Sequence, residues 1–307
     1  MSFCYGMPTL LENSSLEENL SLCRELGLDF LELNMNLPEY QPDAIDVSDA
    51  KRLFRQYGKY PTIHLDEKLN VCEFNKAVAD AYLNTVLRTI AIAKELGAPI
   101  INMHMADGVF FKLPDKKVWL YDKYRDQYMD RLRFFRDACA ETISGDARTA
   151  AADACKAADD VCSVNNACAE TISGDEIKIC VENCATYQAF QRDGVDLLLE
   201  SPCFALTYDI GHDFCAGNGN FEFIMRRADR LTHMHIHDAK DARNHLALGA
   251  GVIDIPAKLA LAKKHDCRCV LETKTSDSLR KSVEYIQSYC SRRNADRLPR
   301  RVGHDSQ

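Results

Sequence analysis

The sequence predicts an α/β fold, a closed (β/α)₈ TIM barrel, from three observations. Short β-branched or apolar runs alternate with longer stretches of helical period, and the alternation completes eight units. Joints such as "ELGLDF", "ELGAPI" and "KHDCRC" put Gly or Asp where a helix hands over to the next strand. The first strand leads into "CYGMPTLLENSS", which lacks the glycine-rich phosphate turn of an open doubly wound sheet. Parallel strands need crossover helices, and closure of eight such units removes both sheet edges.

In chain order the units begin with "FCYGM" and a helix over 16–27, then "DFLELNMN" and 47–57, "PTIHLD" and 75–96, and "PIINMHM" and 121–143. They continue with "IKICVEN" and 186–200, "FALTYDIGHD" and 221–229, "LTHMHIHD" and 255–265, and "CRCVLETK" and 277–290. One barrel domain is therefore expected over 1–291, with a basic tail over 292–307. The segment "ACAETISGD" interrupts the pattern, because it occurs at 138–146 and again, identically, at 167–175. Removing 147–175 joins the first copy directly to "EIKICVENC", so these residues read as an insertion between the fourth helix and the fifth strand. An αβ connection lies at the barrel face away from catalysis, where an insertion costs least.

At 307 residues the chain is of ordinary length for one such barrel. A formal charge of −8 leans against nucleic acid and anionic membrane as partners. The opening "MSFCYGMPTL" lacks the basic and apolar regions of a signal peptide, and no apolar run reaches the roughly 18 residues of a membrane span, so a cytoplasmic location is expected. The 14 cysteines sit mostly within apolar patterns without paired CxxC motifs, and read as reduced core residues.

Chemistry concentrates at the strand ends. "TIHLD", "INMHM", "CVEN", "YDIGHD", "HIHD" and "LETK" carry His64, His104, Glu182, Asp209 with His212, His235, and Glu272. Barrel enzymes take their catalytic groups from the C-terminal ends of several strands. Three carboxylates and an imidazole on one mouth repel or desolvate at high cost unless a cation neutralises them. Glu182, Asp209, His235 and Glu272 form a mixed oxygen and nitrogen set that suits one divalent metal ion, Mn²⁺, Mg²⁺, Co²⁺ or Zn²⁺. In "THMHIHDAK" the alternation points His233, His235 and His237 to one face. His233 is expected in the core, His235 in the metal layer, and His237 one step further out, either supporting the metal ligands or facing the substrate.

The motifs "VEN", "YDIGHDFCAGN", "HIHDAK…NHLALGAG" and "VLETK" resemble the xylose-isomerase-like barrels, which include sugar isomerases and epimerases and the apurinic endonuclease IV type. The resemblance assigns the metal to Glu182, Asp209, His235 and Glu272. It implies a metal-dependent sugar or sugar-phosphate isomerase or epimerase, in which Glu182 and Glu272 move protons to and from a carbon beside an enediolate that the metal stabilises. His64, His104, His212, His237, His245 and Lys274 are then candidates for substrate contacts. The partner is a small-molecule sugar or sugar phosphate, and a homo-oligomer is left open.

Two alternatives stand beside this reading. In the endonuclease branch, counterparts of His64, His104, His212 and His245 hold further zinc ions for hydrolysis of abasic DNA. A "DxH" pair found there reads Arg243-Asn-His245 here, with a cation where a zinc ligand is wanted. The other alternative is a barrel that binds sugar or metal without turnover. The turn "LGAG" at 248–251 sits where many barrels bind phosphate, and reads equally as a tight loop.

Overall fold

A computed structural model describes residues 4–145 and 176–297. Eight strands close into a parallel barrel in the order β1-β12-β9-β8-β7-β4-β3-β2. They are β1 (Cys4–Pro8), β2 (Phe30–Asn34), β3 (Tyr60–His64), β4 (Ile100–His104), β7 (Lys178–Glu182), β8 (Phe204–Asp209), β9 (Leu231–Ile236) and β12 (Arg268–Leu271). Each of the eight falls on one of the apolar runs, because a parallel strand covered on both faces must be apolar over nearly its whole length. All six residues of β8 are buried.

The main crossover helices are α1 (Leu16–Glu25), α2 (Val47–Tyr57), α3 (Lys76–Leu96), α5 (Arg125–Ser144), α6 (Ala189–Leu199), α9 (Ile255–Lys264) and α10 (Ser276–Arg297). Side chains cap several of them. Ser15 accepts from the Glu18 amide at 3.1 Å, Asp46 from Asp49 at 2.9 Å and Asp254 from Ala257 at 3.0 Å. Each such cap contributes about 1 kcal/mol. No described helix is long and apolar enough to cross a membrane.

The departures from the sequence reading cluster at the C-terminal ends of the strands. The connection after β4 is a hairpin, β5 (Phe110–Lys112) with β6 (Lys117–Trp119), followed by the short α4 (Leu120–Lys123) and a break at Tyr124. Its strands are too short to show a period, so the sequence offered one helix from 121. After β8 the chain turns at once into α7 (Ile210–Cys215), because the Asp209 side chain accepts from the His212 amide at 2.6 Å and ends the strand. The 221–229 helix is α8 (Phe221–Met225) followed by a 3₁₀ turn at Ala228–Arg230. A further hairpin, β10 (Asp238–Lys240) with β11 (Arg243–Leu246), follows β9.

The last helix runs to Arg297, so the segment expected as a tail from 292 begins within it, and the remainder lies outside the described residues. The insertion at 147–175 also lies outside them, apart from its flanks. α5 ends at Ser144 with Gly145 in the left-handed region at φ +81°, and β7 starts at Lys178. Joining residue 146 to 176 leaves Gly145, Asp146, Glu176 and Ile177 as the link, as long as Leu26–Asp29 between α1 and β2. Deleting 147–175 is therefore expected to leave a folded barrel with its metal affinity intact. Circular dichroism and a metal titration check this, and a misfolded or metal-free deletion variant would refute it.

Candidate metal centre at the barrel mouth

Register brings the chemistry together. Parallel pairing sets His104 beside Glu182 and Asp209 beside His235, while β12 pairs Val270 with His235 and so carries Glu272 just past the same level. Glu182 and Asp209 are the last residues of their strands, and Glu272 directly follows its own. Ligand atoms of Glu182, Asp209, His235 and Glu272 all lie within 4.8 Å of one another, and all four residues are buried. His235 Nδ1 is 2.9 Å from Glu272 Oε2, 3.4 Å from Glu182 Oε2 and 3.8 Å from Asp209 Oδ2.

A charged or polar side chain stands against each of the four. The Asn102 amide on β4 donates to Glu182 and is itself oriented by the Thr207 hydroxyl at 2.6 Å. His237 Nε2 lies 3.0 Å from both oxygens of Asp209. The His245 backbone N–H donates to His237 Nδ1 at 2.8 Å, so Nδ1 is an acceptor and Nε2 carries the proton directed at Asp209. Lys274 donates to Glu272 Oε1 at 2.9 Å. His235 Nε2 lies 3.0 Å from Glu32 Oε1.

The donor set fits a divalent cation. Glu182 Oε1, Glu272 Oε2 and both ring nitrogens of His235 are buried without a hydrogen-bond partner among the described residues, and Oε1, Oε2 and Nδ1 crowd the same space. Oxygen-rich sets with one imidazole suit Mn²⁺, Mg²⁺, Co²⁺ or Zn²⁺. Protons and the ion compete for these groups. Burial pushes the His235 imidazole towards its neutral form, but Glu182, Glu32 and Glu272 outweigh this and hold it protonated well above the ordinary histidine range. Burial likewise opposes charge on Glu182 and Glu272, and His235 in each case overrides it and keeps the carboxylate ionised. A raised histidine is charged at neutral pH and must lose its Nδ1 proton to bind metal. Loading Zn²⁺ near neutral pH is therefore expected to release protons. Calorimetry in buffers of different ionisation enthalpy measures this, and a heat that does not depend on the buffer would contradict it.

A family model described as xylose isomerase-like TIM barrel matches residues 20–289. The chain belongs to this family. Among curated proteins, an uncharacterised protein of Methanocaldococcus jannaschii is 24% identical over 223 residues, covering 68% of this chain and 78% of that protein. Among solved structures, a D-tagatose 3-epimerase-like protein superposes with a TM-score of 0.69 at 20% identity, covering 96% of this chain and 99% of that one. A 3-keto-D-glucoside 4-epimerase from E. coli superposes at 0.67 with 15% identity, covering 94% and 100%. At such identities the structural likeness speaks to the fold.

The xylose isomerase-like frame also places the other residues that the sequence singled out. His64 and His104 end β3 and β4, and the Nε2 of each lies 3.3 Å from Glu182 Oε2. His64 donates from Nδ1 to the Leu65 carbonyl at 2.7 Å, which turns Nε2 toward Glu182. Burial lowers and Glu182 raises its pKa, with a net shift up to about 9. His212 also rises to about 9, where burial is outweighed by Asp209 and Glu182. His245, in the left-handed region at φ +53°, stacks on His237 at 4.3 Å, and burial lowers it to about 4. These imidazoles and Lys274 ring the four-residue centre.

Of the two roles expected for His237, its surroundings fit support of a metal ligand. It is 0% exposed, and a Cβ at Gly211 would meet its ring at 2.0 Å, so the glycine exists in α7 to admit this imidazole. Its Nε2 contacts orient Asp209. The "LGAG" turn likewise looks inward. Its Gly249 and Gly251 amides donate to Asp238 Oδ2 at 3.0 and 2.9 Å, and the Ile253 amide to Oδ1 at 3.0 Å. A buried carboxylate thus holds the amides that a phosphate would need.

Glu32 and Asn102 were missed. Both are fully buried polar residues inside apolar strand runs, "DFLELN" and "PIINMH". That is the signal that would have found them, because a strand covered on both faces has no solvent side for a glutamate.

Proposed function

We propose that the chain is a divalent-metal-dependent isomerase or epimerase of a sugar or sugar phosphate, acting by proton transfer at a carbon beside a carbonyl. One observation carries this reading: Glu182 and Glu272 flank His235 in one buried layer, each with an oxygen that no hydrogen bond uses. The resemblance to sugar epimerases agrees with it. The ion, held by Glu182, Asp209, His235 and Glu272, supplies positive charge for substrate oxygens that gain negative charge during the reaction.

The two glutamates have unlike surroundings, as acid and base roles require. Against burial, His235 and, after it, Lys274 at 2.9 Å keep Glu272 ionised, which suits it to accept a proton. Glu182, also ionised, faces His64 and His212 at 3.3 and 3.5 Å, imidazoles raised to about 9 that can supply the proton it returns. Lys274 and the imidazoles of His64, His104, His212 and His245 are placed to bind hydroxyl oxygens. The test is a panel of ketoses and their phosphates offered to metal-stripped protein with Mn²⁺, Mg²⁺, Co²⁺ or Zn²⁺ added in turn. Chromatographic appearance of an epimer or aldose, dependent on the ion, is expected.

A second reading, zinc-dependent hydrolysis of abasic DNA, is favoured by the His64, His104 and Glu182 group, which can hold an additional ion. Against it stand the exposed Arg243 and the charge of −8. Metal analysis separates the two, since one bound ion favours the isomerase and three favour the nuclease. Nicking of an abasic duplex with no change in any sugar would overturn the first reading.

A further inference from the structure

Glu32 lies on β2, a strand that contributes none of the four candidate ligands, yet it reaches the centre of the barrel. Phe30, Glu32 and Asn34 share one face of that strand, and Glu32 is only 1% exposed. Its two oxygens have separate tasks. Oε2 accepts from the Thr62 hydroxyl at 2.9 Å and is hydrogen-bonded to His233 Nε2 at 3.0 Å, while Oε1 lies at ion-pair distance, 3.0 Å, from His235 Nε2, which has no other partner among the described residues. Thr62 is the register partner of Glu32 on the neighbouring strand, so the carboxylate is fixed from the sheet itself. His235 consequently stands between two sets of anions. Among the described carboxylates Nε2 faces Glu32, and Nδ1 faces Glu182, Asp209 and Glu272.

We propose that Glu32 is the positioning residue of the metal centre. It holds the Nε2 proton of His235, sets the rotation of that ring, and so presents Nδ1 to the ion; its other oxygen is braced by Thr62 and His233. The inference rests on the metal-centre reading above and names a residue outside the ligand set. A carboxylate behind a ligating histidine fixes its tautomer and raises its basicity, and removing such a partner typically weakens metal binding by about 10–100-fold. Glutamine at this position keeps the shape. It cannot accept at both oxygens, so its amide group must oppose one of the two imidazole N–H groups.

The test is Glu32→Gln, with Zn²⁺ affinity read by competition against a chromophoric chelator and the visible spectrum of the Co²⁺-loaded protein recorded beside it. Folded variant protein is expected to bind Zn²⁺ about 10–100-fold more weakly than wild type, with an altered Co²⁺ spectrum. A merely structural role would change the melting temperature of the metal-free protein and leave both metal readouts alone. Affinity within about threefold of wild type, well short of the expected loss, would overturn the proposal. So would loss of one whole ion with the remainder held at full strength, because Glu32 would then be a ligand itself. Should Glu32→Gln fail to fold, long-range ¹H–¹⁵N spectra of histidine-labelled, Zn²⁺-loaded wild type decide the matter. His235 is expected as the Nε2–H tautomer with metal at Nδ1, and an Nδ1–H tautomer would overturn it. Wild type that binds no ion at all would instead remove the metal centre on which the proposal stands.

Discussion

Glu182→Gln and Glu272→Gln are each expected to lower turnover by at least about 10³-fold, because loss of a positioned general acid or base alone typically costs 10²–10⁴. Each change also removes one negative charge from a layer in which the ligand atoms lie within 4.8 Å of one another. The amide keeps the side-chain shape, so gross packing survives. In Glu182→Gln the new amide faces the Asn102 amide and the His64 and His104 imidazoles, which now lack the anion they share. In Glu272→Gln the Lys274 ammonium loses its carboxylate at 2.9 Å. Rates on the sugar that wild type turns over, normalised to bound metal, give the result. Near-normal turnover in either variant would end the two-glutamate account.

His235→Ala is expected to abolish metal binding at concentrations that saturate wild type. The three remaining carboxylates then face each other without an imidazole, and their mutual repulsion raises their affinity for protons at the expense of the ion. Its neighbours on the strand separate the roles. His233→Ala removes a partner of Glu32 in the core and opens a cavity, costing about 1–3 kcal/mol of stability. The sequence alone suggested that His237→Ala would act on substrate affinity. With His237 fully buried and 3.0 Å from both Asp209 oxygens, the expected effect moves to stability and metal affinity, with the Michaelis constant little changed. Metal analysis and thermal unfolding on the three variants test this, and full occupancy in His235→Ala would place the ligand elsewhere.

The barrel was legible because both of its signals are local. Apolar runs of strand length recur between amphipathic stretches, and Gly or Asp marks the joints. The candidate ligands were legible for a related reason: a carboxylate or imidazole at the end of an apolar strand has few structural uses. Depth along the strand face was legible for His233 and His235, but the partner of His237 was not, because its place against Asp209 depends on α7 passing over its ring at Gly211. Glu32 escaped because its partners are 30, 201 and 203 residues away along the chain, on strands whose neighbourhood is set by closure of the barrel. The hairpins after β4 and β9 escaped because strands of three or four residues carry no measurable period.

Transfer of solvent deuterium tests the central claim most directly. Metal-loaded protein incubated in D₂O with a ketose panel is expected to place deuterium on the carbon that changes configuration, or on the carbon next to the carbonyl. The same protein stripped of metal should place none. A metal-loaded protein that leaves every sugar without deuterium while it cleaves abasic DNA would contradict the account.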